Sequence, residues 1–101
     1  MGEYILLMYN DAPDQSKVNN PDNWEKYVSA LHAGGQFAEV SAIGGGLRCK
    51  KHAEDQTIAD KKVVGSIRIR AESPQAAKYW LVGNPVYEAG GTVEIRALLR
   101  D

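Results

Sequence analysis

Two segments of the chain alternate apolar and polar residues so regularly that a half-buried β-strand is the conformation that accommodates them. In Lys62 to Ala71, Val63, Gly65, Ile67 and Ile69 fall on one side and Val64, Ser66, Arg68 and Arg70 on the other. In Thr92 to Leu99, Val93, Ile95 and Ala97 alternate with Thr92, Glu94 and Arg96. Each strand turns an apolar side to a core and a charged side away from it. The stretch between them, from Trp80, is expected to close a helix at Gly83, Asn84 and Pro85, because proline cannot continue the ladder and glycine takes the left-handed angle that ends one. Gly90 and Gly91 then swing the backbone into the last strand.

Upstream, Tyr4 to Tyr9 is a continuous apolar run, the mark of a strand in the middle of a sheet. Asp11 to Asn20 is polar and reads as a surface connection. Asn20 and Pro21 start a helix, along which Trp24, Tyr27, Val28 and Leu31 form one stripe, with Trp24 expected inside; Gly34 and Gly35 end it. A further strand is expected around Gly45 to Lys51, with the glycines at 44 to 46 marking a bulge or a close backbone approach. His52 to Asp60 is expected to be a charged loop. Ser73 and Pro74 cap a second helix whose buried side is Ala77, Trp80 and Leu81. The order strand, helix, strand, strand, helix, strand predicts an α+β fold of ferredoxin-like βαββαβ type. Its antiparallel four-stranded sheet carries both helices on one face, and residues 1–101 form a single domain. The other face would bear Arg68, Arg70, Glu94 and Arg96, and a second copy is expected to cover it.

Composition narrows the function classes. Charged residues make up 25% and hydrophobic residues 44% of the 101, the balance of a folded domain rather than a disordered tail. A net charge of −1 gives no bulk attraction to phosphate, and with the aromatics mostly on core faces a nucleic-acid role is disfavoured. The single cysteine, Cys49, allows no internal disulfide and fits a reducing compartment. No run is long enough to span a bilayer, so a cytoplasmic protein with no membrane partner is expected.

The run VGSIRIRAESPQAAKYWLVGNPVYEAGGTVEIRALL, with YILLMYND at the start and SAIGGG in the middle, resembles the YCII-related and DGPF proteins, and GNPVYEAGGTVEIR is its most specific piece. The resemblance covers nearly the whole chain. It implies a homodimer, in which two ferredoxin-like protomers form a dimeric α/β barrel with a pocket beside each open sheet face. Some YCII relatives act on small aromatic substrates through a His–Asp pair with the histidine on the first helix, and the YVSAL run puts Tyr27 at that position. Tyrosine, with an acid constant near 10, is a poor base at neutral pH. Neither branch implies a cofactor.

Candidate groups each have a plain structural alternative. Arg68, Arg70, Glu94 and Arg96 suit a small carboxylate or phenolate, arginine being a planar fork for such groups, or they pair across the dimer. Tyr9, Asp11, Tyr87 and Glu88 would stand near a pocket mouth, where a carboxylate beside an aromatic wall can move a proton, or they are solvated loop residues. Tyr27, Asp11 and Glu88 are the catalytic candidates; Arg68, Arg70, Glu94, Arg96, Tyr9 and Tyr87 are the ligand-binding ones. Cys49 and His52 resemble half of a zinc site without the other half, so no metal is expected. His32 is expected at a helix end among terminal carbonyls. Two readings stand: a cofactor-free isomerase or lyase acting on a small ligand in the barrel pocket, and a non-catalytic ligand-binding or accessory dimer whose charged face is structural.

Overall fold

The structure, a computed structural model, describes residues 2–58 and 62–99. Its elements in chain order are β1 (Gly2–Tyr9), α1 (Gln15–Val18), α2 (Pro21–Gly34), β2 (Phe37–Ala42), β3 (Gly46–Arg48), β4 (Gln56–Ile58), β5 (Val63–Ala71), α3 (Pro74–Tyr79), α4 (Pro85–Glu88) and β6 (Val93–Leu98). The main sheet has four strands in the order β2-β5-β1-β6, every pair antiparallel. That is the strand order of a ferredoxin-like α+β fold, and it puts the apolar run of β1 inside the sheet.

Register fixes which side chains share a face. Leu6 opposes Ile67 and Ile95, and Tyr4 opposes Ile69, so these point to the helices. Ile5 opposes Arg68 and Arg96, and Leu7 opposes Ser66 and Glu94, on the helix-free side. The core holds Tyr4, Leu6, Met8, Ile67, Ile69 and Ala71 from the sheet against Tyr27, Leu31, Ala77, Leu81 and Val86. Leu6, Leu31, Ile67 and Ile69 are fully buried. Truncating any one of them to alanine removes transfer energy and leaves a cavity, about 2–5 kcal/mol together.

Helix starts follow the sequence. Asn20 caps α2 by accepting from the Asp22 N–H at 2.9 Å, and Ser73 caps α3 by accepting from the Ala76 N–H at 3.0 Å. Gly35, at φ 78°, closes α2.

Five expectations need correction. The sheet's second strand is Phe37–Ala42, not Gly45 to Lys51. Residues 46–48 instead pair with 56–58 in a separate two-stranded ribbon, so part of the expected loop from His52 is strand, while Ala59 and Asp60 lie outside the described residues. A Cβ on Gly45 would stand 2.8 Å from the Ile58 carbonyl, the close backbone approach that the glycine run suggested. The connection from Asp11 to Asn20 contains α1, a single helical turn. Trp24 is half-buried, because its indole N–H reaches out to the Val18 carbonyl at 2.5 Å and pins α1 against α2. Finally, α3 ends at Tyr79 and is not closed by Gly83, Asn84 and Pro85; Asn84 with Pro85 instead starts α4, using the same Asn-Pro chemistry that opens α2.

Candidate functional site

The two faces of the sheet present different chemistry. On the helix-free face the cations are matched to carboxylates. Arg68 bridges Glu3 and Glu39 at 3.1 and 3.2 Å, and Arg70 lies 4.0 Å from Glu3. The Tyr9 hydroxyl donates to Glu94 at 2.6 Å, and Arg96 Nε donates to the other Glu94 oxygen at 2.8 Å. These contacts set the local acid constants. The Tyr9 hydrogen bond, aided by Arg96, holds the Glu94 carboxyl below its ordinary value; Glu94 in turn raises both the Tyr9 phenol and the Arg96 guanidinium. Between the two charge clusters lie the half-buried Ile5 and Leu7.

The helix side carries a groove of about 370 Å³ between α2 and the segment from Val82 to Glu88. Tyr27, Ala30, Val82, Gly83 and Pro85 supply its apolar wall, and Lys17, Asn23, Lys26 and Glu88 its polar rim. Two contacts hold the outer wall. Glu88 accepts from the Gly83 N–H at 2.9 Å, and Gly83 takes φ 87°, an angle that glycine adopts without strain. The buried Asn84 accepts from the N–H groups of Val86 and Tyr87 at 3.0 and 3.1 Å. Tyr27 forms the inner wall. It is 3% exposed, donates to the Trp80 carbonyl at 2.7 Å, and is raised above the ordinary phenol value by burial, with the Asn84 amide opposing the rise. It is therefore a neutral phenol at pH 7. Among the described residues no carboxylate stands within ion-pair distance of Lys17 or Lys26, although Lys17 lies close enough to Asp14 to lower its acid constant slightly, after the larger effect of the Ser16 hydroxyl.

The sequence-predicted residues thus divide into three groups. Arg68 and Arg70 meet around Glu3, while Tyr9, Glu94 and Arg96 form a second cluster on the same face. Asp11 meets neither. Its carboxylate accepts from the Thr92 N–H at 2.7 Å and the Thr92 hydroxyl at 2.6 Å, contacts that lower its acid constant and tie the end of β1 to the start of β6. Tyr27 and Glu88 come together at the groove, on the opposite side of the sheet from Arg68; Tyr87 shares α4 with Glu88 and is 42% exposed. Sequence reading missed Lys17, Asn23 and Lys26. Asn23, Lys26, Tyr27 and Ala30 recur at helical spacing, a stripe one step round from the apolar one, and that signal was available. Lys17 had none, because its placement depends on the unrecognised turn of α1.

His32 is exposed, with its ring 4.2 Å from that of Phe37, and Cys49 is exposed. Among the described residues no three histidine, cysteine or acidic side chains cluster as metal ligands, and no helix is long and apolar enough to cross a membrane.

No protein-family profile matches the chain, and no curated protein matches it either. A solved structure does match: 5-chloro-2-hydroxyhydroquinone dehydrochlorinase from Burkholderia phenoliruptrix AC1100, in complex with 2,5-dihydroxybenzoquinone. The match covers 100% of this chain and 96% of that one with a TM-score of 0.59 at 17% sequence identity. The two chains share a fold.

Proposed function

We propose that this protein is a homodimer of the YCII-related and DGPF type that binds a small anionic ring compound in the groove between α2 and the Val82 to Glu88 segment. The observation that carries the reading is the groove itself: about 370 Å³, with the exposed Ala30 and Val82 as its apolar sides above the buried Tyr27 and Pro85, and Lys17 and Lys26 at its rim. That volume suits a single substituted ring, and ammonium groups with no ion pair among the described residues favour an anionic substituent over a neutral one. The dehydrochlorinase that shares the fold holds such a ring, a dihydroxybenzoquinone.

The helix-free face is then the dimer seam. Its arginines already have carboxylates, so a ligand carboxylate would have to displace Glu3, Glu39 or Glu94. Ile5 and Leu7 gain most from a second copy laid over them. This is the structural alternative for Arg68, Arg70, Glu94, Arg96 and Tyr9.

Binding is the conclusion; a cofactor-free isomerase or lyase is the second reading, favoured by Glu88. Its carboxylate stands at the same rim as Lys26, where it would take a proton from a bound phenol or enol while an ammonium holds the resulting charge. Tyr27, neutral and donating to Trp80, serves as a wall in either case.

Isothermal titration with salicylate and with 2,5-dihydroxybenzoquinone tests the reading. Lys26→Ala is expected to weaken binding about tenfold, the equivalent of about 1.4 kcal/mol, and Arg68→Ala to leave it unchanged. Loss of binding in Arg68→Ala with Lys26→Ala unaffected would move the ligand to the sheet face. Turnover abolished in Glu88→Gln with affinity retained would establish the chemical step.

A further inference from the structure

A second depression continues the groove along α2. It encloses about 300 Å³ and is lined by Tyr27, Ala30, Leu31, Tyr79, Trp80 and Val82, every one an apolar or aromatic side chain. Tyr27, Ala30 and Val82 belong to both hollows, so the two are contiguous and Val82 stands at their junction. Their chemistry differs along the path, with Lys17, Lys26, Asn23 and Glu88 around the first and, among the described residues, no charged group lining the second. Tyr79 and Val82 are each 71% exposed, an unusual state for large apolar residues on a segment tied down by the Leu81 N–H to Lys78, the Asn84 N–H to Leu81 and the Glu88 to Gly83 contacts. Tyr79 is set edge-on to Trp80 with ring centroids 5.6 Å apart, which turns an aromatic wall toward the hollow.

We infer that the ligand is amphipathic: an anionic ring whose far side bears an apolar substituent of a few carbons, seated against Tyr79, Trp80 and Val82. The inference rests on the proposed binding groove and adds the direction and chemistry of the ligand's second half. The anionic end faces the lysines, the ring crosses Tyr27 and Ala30, and the substituent covers surface otherwise wetted. Each methylene removed from water there strengthens binding about fourfold at most, from the transfer energy of one CH₂ group.

The test is calorimetric titration of the full chain with benzoate, 4-ethylbenzoate and 4-butylbenzoate. Affinity is expected to climb along the series, by up to about fourfold per methylene, and to level off where the hollow ends. In Tyr79→Ser, benzoate affinity is expected to stay the same because Tyr79 lines only the second depression, while the gain from the butyl chain shrinks; Tyr79→Phe keeps the gain. Benzoate binding with no gain from the alkyl chain would overturn the inference and leave the groove standing. A gain that survives undiminished in Tyr79→Ser would also overturn it, by putting the chain elsewhere. Absence of benzoate binding, together with failure of salicylate, would remove the groove and this inference with it.

Discussion

Asn84 offers a worked test of how the groove's outer wall is held. It is fully buried, its carbonyl oxygen accepts from the N–H groups of Val86 and Tyr87, and its amide donates to the Met8 sulfur at 3.6 Å. In Asn84→Ala the helix cap goes, at about 1 kcal/mol. The Val86 N–H, on a residue 1% exposed, is then left dry and unpaired, which costs about 1–3 kcal/mol more; the Tyr87 N–H, on a more exposed residue, regains water. The total is about 2–4 kcal/mol. Asn20 supplies the internal control, because it makes the same kind of cap on α2 in an exposed setting, and Asn20→Ala should cost only about 1 kcal/mol. Urea unfolding followed by circular dichroism, at one protein concentration so that association contributes equally, gives both numbers from midpoint shifts at constant slope. If Asn84→Ala cost no more than Asn20→Ala, burial would not be what makes this cap strong. Because α4 carries Glu88 and through it fixes Gly83, Asn84→Ala should also weaken salicylate binding, whereas Asn20→Ala should not.

Three further outcomes are expected. Thr92→Val removes the hydroxyl that contributes most to lowering the Asp11 acid constant, so carboxyl titration by NMR should show that constant rising toward its ordinary value, though not all the way, since the Thr92 N–H remains. Asp11, Asp14 and Glu94 all titrate below their unfolded values. Their contribution to stability is therefore complete above about pH 5 and is lost as the pH falls through the lowered constants, which an acid series of urea midpoints should reproduce. Leu7→Arg places a charge in the middle of the helix-free face, where Leu7 opposes Ser66 and Glu94, and should convert a sedimenting dimer to monomers with the fold intact by circular dichroism.

Much of the fold was legible because it depends on alternation and capping, which are local. The strands β5 and β6, the apolar β1 and the Asn20 and Ser73 caps all appear where the residues put them, although Ser66 on the outward side of β5 is buried and Ala97 on the core side of β6 is exposed. The middle of the chain was not legible. Ala38 to Ala42 alternates apolar and polar residues, but the glycines at 44 to 46 cut the pattern short, and β2 lies at the sheet edge with a bulge between Phe37 and Glu39, so that Glu39 to Ala42 are all exposed and no buried face marks the strand. Asn84 and Pro85 carried two meanings, a stop for one helix and a start for the next, and only packing decides between them. The site was harder still. The charged strand faces drew attention to Arg68 and Arg96, yet the groove is made by residues far apart in sequence: Lys17 on one turn, Lys26 on the next helix and Glu88 beyond the third. No spacing rule joins such residues before the helices are docked on the sheet.

The most direct measurement is a crystal structure of the protein grown with salicylate. The ring is expected in the α2 groove, across Tyr27 and Ala30 with its carboxylate toward Lys26, and two copies are expected to meet across Ile5 and Leu7. A ring bound instead among Arg68, Arg70 and Arg96, with the α2 groove unfilled, would contradict the account.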